Sequence, residues 1–112
     1  MDTRNKIVAA ERLWKAVREG DWTVLFGRFD PLTAEVADYI TGFMQPGKKL
    51  AVVIDPAGTR VLDADAGALL IAALRCVDRV AIADAVPAGI SAVCDRERDS
   101  ARMREFLERV AR

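Results

Sequence analysis

Apolar residues at Ile7, Ala10, Leu13, Trp14 and Val17 fall three and four apart, so residues 6–18 carry one stripe of an amphipathic helix. Gly20 is placed to end that helix in a left-handed C′ position. Trp22 to Phe26 form a run of β-formers that Gly27 interrupts, which predicts a buried strand followed by a tight connection. Val36, Tyr39, Ile40 and Phe43 repeat at helical spacing, with Asp30-Pro31 or Thr33 to cap the start and Gln45-Pro46-Gly47 to stop it. The apolar run over 50–54 lies between Lys48-Lys49 and Asp55-Pro56-Ala57-Gly58 and suits a central strand covered on both faces. Asp63 is expected to cap a third helix with an inner stripe of Leu69, Leu70, Ala73 and Val77. A third strand is predicted over 80–83 and a fourth over 90–93. Met103, Phe106, Leu107 and Val110 mark the inner face of a C-terminal helix.

Strands separated by helical patterns of this length imply βαβ crossovers. The fold class expected is α/β, a Rossmann-like three-layer α/β/α arrangement with a small, mainly parallel sheet of about four strands. One domain should span residues 1–112. The connection between strands three and four is shorter than a parallel crossover normally needs, so strand four is expected to be short, displaced or antiparallel.

Composition narrows the partners. Hydrophobic residues make up 52% and charged residues 30% of the 112, a globular balance. The longest unbroken apolar stretch, residues 68–74, is far too short to span a bilayer, and the polar opening of the chain is not a signal-peptide pattern, so a cytoplasmic protein without membrane contact is expected. Seventeen basic residues balance seventeen acidic ones, which leaves no global field to concentrate nucleic acid, and none is expected as a partner. Cys76 and Cys94 are isolated, and with no histidine in the chain they read as small buried thiols rather than metal ligands.

In an open parallel sheet, ligands sit beyond the carboxyl ends of the strands. Gly27 and the start of the second helix lie at such an end, where free N–H groups would face a ligand. The combination of an amphipathic helix, Val24-Leu25-Phe26-Gly27-Arg28-Phe29-Asp30 and a helix leading into residues 50–55 resembles the nucleotidyltransferase superfamily. The cytidylyltransferase-like domains of the ADP-heptose synthase type come nearest. Residues 70–82 are similar to the family's next helix and strand, and the likeness spans roughly residues 6–94. It implies a nucleotide cleft at Gly27, Phe29, Asp30, Thr33 and Val36.

The departures from the family bear on chemistry. The resemblance implies a His-x-Gly-His motif whose imidazoles stabilise charge on a phosphate. In this chain Thr33 stands at the first histidine, Glu35 at the glycine and Val36 at the second histidine. A threonine still donates one neutral hydrogen bond, whereas a valine donates none. A carboxylate at Glu35 repels a phosphate oxygen at ~4 Å by about 1 kcal/mol in water and several times that in a partly dry cleft. The family's arginine at the start of the third helix aligns with Gly67, the lysine near the end of strand four has no counterpart in residues 92–95, and the C-terminal Ser/Thr-rich phosphate motif is missing. No residue is therefore assigned a catalytic role.

Several side chains admit two readings. Asp30, Asp55, Asp84 and Asp95 all fall near strand ends, where converging carboxylates hold Mg²⁺, yet aspartate there also serves as a turn or cap residue. Arg28 either meets an anionic ligand or pairs with Asp30 or Glu35. The charged tail, residues 95–112, carries six arginines against five acids, which reads as a solvated helix face. Trp14 and Trp22 belong to the core or to a partner surface, and a homodimer packed through the first helix is the expectation. The function expected is a degenerate, non-catalytic cytidylyltransferase-like protein, a weak binder of a nucleotide or sugar phosphate or a protein-interaction module, with no cofactor. The alternative is a divergent Mg²⁺-dependent nucleotidyltransferase acting on a sugar or polyol phosphate.

Overall fold

The computed structural model describes residues 3–30, 32–58 and 60–94. The expected C-terminal helix, Asp95 and the charged tail lie outside the described residues. A 3-10 turn at Thr3–Lys6 leads through an extended Ile7 and Val8 into helix α1 (Ala10–Glu19), strand β1 (Trp22–Gly27), helix α2 (Ala34–Thr41), strand β2 (Lys49–Ile54), helix α3 (Ala64–Ala72), strand β3 (Arg79–Ile82) and strand β4 (Val93–Cys94). The four strands form one sheet in the order β3-β2-β1-β4, and every pairing is parallel.

The register of β1 on β2 runs from Trp22 opposite Lys49 to Gly27 opposite Ile54. Alternation along β2 then sorts the core into two layers. Leu50, Val52 and Ile54 join Leu25, Val36, Ile40, Ile71 and Val80 on the face covered by α2 and α3. Ala51 and Val53 join Val24, Phe26, Ala81 and Leu13 of α1 on the other. The strand is buried on both faces because helices cover both, as the unbroken apolar run over 50–54 implies.

The return from β3 to β4 lies on the α1 face, where Val86, Ile90 and Ala92 pack against that second layer. Residues 83–92 make this crossover without a helix. Strand four is parallel, but it is displaced to Val93–Cys94, and among the described residues it pairs with Leu25 and Phe26. The strand order therefore reverses between β1 and β4, a switch point beside which doubly wound sheets bind ligands.

Three local expectations are corrected. The first helix begins at Ala10, because Ile7 instead bridges Val80 in parallel and the Val8 N–H donates to the Val80 carbonyl at 2.9 Å. The unpaired edge of β3 offers these two β-branched residues main-chain partners that a helix start does not. Gly20 is extended (φ −137°, ψ −174°) rather than left-handed, since the chain leaves α1 straight into β1. On α3 the inner face is Gly67, Ala68, Ile71 and Ala72, while Leu69 and Leu70 are 46% and 44% exposed. That helix is apolar all round, so its periodicity has little contrast and small residues, which let it approach the sheet closely, decide which side faces in.

Candidate functional site at the carboxyl ends of β1 and β2

The exit from β1 is shaped by an unexpected residue. Gly27 stays in the strand, and the positive φ of the turn belongs to Phe29 at 50°. A bulky residue in the left-handed region costs roughly 1–2 kcal/mol. Phe29 is 1% exposed within the α2/α3 core layer, and burying a phenylalanine contributes about 1.5–3 kcal/mol, enough to hold the strain.

The twist at Phe29 turns Asp30 inward. Asp30 is 3% exposed, and its carboxylate accepts two consecutive main-chain N–H groups across the crevice, from Val61 at 2.5 Å and Leu62 at 3.0 Å. Asp55, 5% exposed at the end of β2, accepts from the Ala57 N–H at 2.9 Å and thereby turns its own loop. Its N–H donates to the Gly27 carbonyl at 2.8 Å, which continues the β1–β2 ladder past the strands. Asp84 is exposed. Among the described residues, no three His, Cys, Asp or Glu side chains stand together as metal ligands.

The helix that should open toward a ligand is capped from within. Thr33 Oγ1 accepts the Val36 N–H at 3.3 Å, and Val36 itself is 0% exposed in the core layer. Glu35 is exposed in the first turn. Gly27, Phe29, Asp30, Thr33 and Val36 thus fall around the β1–α2 turn, but Phe29 and Val36 point into packed core and Thr33 and Asp30 hold main chain.

One residue absent from the sequence reading dominates the crevice. The Arg60 guanidinium lies between the strand ends, its Nε donating to the Leu62 carbonyl at 2.8 Å and its Nη1 to the carbonyls of Arg28 at 3.1 Å and Asp55 at 3.0 Å. Its Nη2 is buried with no hydrogen-bond partner among the described residues. Two glycines make room for arginines here. A Cβ added at Gly67 would stand 3.0 Å from Arg60 Nη2, and one added at Gly58, whose φ is 78°, would collide with the Arg28 guanidinium. The only sequence signal for this arrangement is an arginine placed between two glycines after β2.

A separate groove of about 410 Å³ lies at the far ends of α2 and α3, lined by Thr41, Met44, Leu74, Arg75 and Cys76. The Thr41 hydroxyl donates to the Ala37 carbonyl at 2.8 Å, so at its 3.6 Å contact the Cys76 thiol is the donor to Thr41 Oγ1. Neither cysteine is fully buried. Cys76 is half-buried against the core and Cys94 exposed, which corrects the reading of both as small buried thiols.

No protein-family model and no curated protein matches the chain. No helix among the described residues is long and apolar enough to cross a membrane.

Proposed function

We propose that the chain is a non-catalytic, degenerate relative of the cytidylyltransferase-like nucleotidyltransferases that acts as a weak ligand-binding or protein-interaction module. The observation that carries this reading is the internal satisfaction of the crevice. Asp30 is committed to two loop amides, Thr33 to a helix cap, and Arg60 takes the space beside Gly67. A triphosphate would have to displace these contacts and would meet no imidazole in return, because the chain has none. Loss of a single phosphate-stabilising donor lowers turnover by roughly 10²–10³.

The interaction half of the proposal is supported by the outer face of α3, where Leu69 and Leu70 are exposed, and by Met44, 60% exposed beside the groove. Exposed large apolar side chains near one another suit a partner more than solvent, and Leu69 and Leu70 are adjacent on α3.

Thermal unfolding with CTP or ATP, each with and without Mg²⁺, tests the first part. The expected result is no metal-dependent shift and no pyrophosphate release from the nucleotide with a sugar or polyol phosphate. A saturable, Mg²⁺-dependent rise in melting temperature together with pyrophosphate release would overturn the reading.

A further inference from the structure

The chemistry at the carboxyl ends of β1 and β2 is that of a cation seat. Three main-chain carbonyls, those of Arg28, Asp55 and Leu62, converge on one planar guanidinium at 2.8–3.1 Å. Two buried carboxylates, Asp30 and Asp55, belong to the same strand exits. Carbonyl and carboxylate oxygens accept hydrogen bonds and repel anions, so this lining favours a cation with N–H donors fanned in a plane.

We infer that the crevice is a guanidinium-binding site that Arg60 fills from within the same chain, and that the ligand class it takes is a planar amidinium or guanidinium cation. The carbonyls of Arg28 and Asp55 directly follow the strands β1 and β2, and the Asp55 N–H bond to the Gly27 carbonyl ties together the peptides just before them. Leu62 is held by Asp30, which accepts its N–H in the peptide that precedes the carbonyl meeting Arg60. Two of the three carbonyls of the seat thus follow peptides anchored by hydrogen bonds that do not involve Arg60. Gly67 completes it by leaving open the side toward α3, where a Cβ would approach Nη2.

The tether gives Arg60 a high effective concentration over its seat, so a free cation at millimolar concentration does not displace it from the wild-type chain. Removing the side chain frees the seat. This assignment stands on the geometry and not on the ancestry proposed above, and rescue of Arg60→Ala reads it whatever nucleotide assays on the wild-type chain show.

The test is chemical rescue. Arg60→Ala is unfolded thermally against increasing methylguanidinium chloride, with total salt held constant by sodium chloride. The expected result is a lower melting temperature for Arg60→Ala and a saturable recovery of several degrees with methylguanidinium. Wild type should show no such rise, and tetramethylammonium, which has no N–H, should rescue nothing. Arg60→Gln, whose amide fills part of the seat, should recover less than Arg60→Ala. Should Arg60→Ala fail to fold, refolding yield with methylguanidinium against tetramethylammonium gives the same comparison. Absence of rescue, equal rescue by tetramethylammonium or inorganic phosphate, or an equal rise in wild type would each overturn the assignment.

Discussion

Replacing Asp30 by alanine should destabilise the chain by about 2–4 kcal/mol. The carboxylate is 3% exposed and accepts the N–H groups of Val61 and Leu62. A hydrogen bond to a charged group contributes roughly 1.5–3 kcal/mol. Two such bonds would sum higher, but they share one carboxylate, and Val61 is 40% exposed, so water can reach that part of the loop. Against a typical domain stability of about 5–15 kcal/mol the expected loss is large. Asp30→Asn should recover little of it, because its amide keeps one acceptor and turns a donor toward the second N–H. Urea unfolding followed by the fluorescence of Trp14 and Trp22, with EDTA and then with Mg²⁺, measures both variants, and the midpoint should fall at unchanged slope. The sign separates two roles for the residue. A buried carboxylate kept for a metal is an unpaired charge when the metal is withheld, so its removal in EDTA would leave stability unchanged or raise it. A loss below about 0.5 kcal/mol for Asp30→Ala, or wild-type stability for Asp30→Asn, would refute the reasoning.

Other variants probe neighbouring parts. Thr33→Ala should cost about 1 kcal/mol through loss of the α2 cap, read in the same urea experiment. Phe29→Ala should lose about 3–5 kcal/mol, and Phe29→Gly should be no worse and up to about 1 kcal/mol better, because φ 50° suits glycine; the usual order, with glycine below alanine, would refute the left-handed turn. Gly67→Ala should be near neutral alone and stabilising by about 0.5–1 kcal/mol in an Arg60→Ala background, since the helix gain is then free of the 3.0 Å approach to Nη2; a double-mutant cycle with no coupling would refute it. Leu69→Gln with Leu70→Gln should change stability by less than about 0.5 kcal/mol each, while lowering any self-association seen by sedimentation if α3 supplies the contact.

The parts of the fold that were legible in the sequence are those decided by local pattern. The unbroken run over 50–54 announced a strand covered on both sides, and Asp63 announced the α3 cap, where its Oδ1 accepts the Ala66 N–H at 2.8 Å. Contrast failed on α3, where apolar residues surround the helix and only packing against Val52 and Val80 tells Ile71 from Leu70. Ile7 and Val8 were misread because their partner, Val80, is remote in sequence. The site was less legible for the same reason. Gly27 looked like the turn residue, but the positive φ fell to Phe29, whose strain is held by burial against α2 and α3. Arg60 was silent because its three acceptors are main-chain carbonyls, which any residue type supplies.

The unequal registers of the sheet set the order in which it comes apart. β1 and β2 share six paired positions from Trp22 to Gly27, whereas among the described residues β4 pairs with β1 through Val93 and Cys94, both exposed. The β1–β2 pair therefore belongs to the cooperative unit whose amides exchange with solvent only on global unfolding, and β4 to a smaller unit that opens at lower free energy. The line between those two units is the switch point itself. The β1–β4 edge can open while the rest of the sheet stays folded, without disturbing the crevice between the β1 and β2 ends that Arg60 fills.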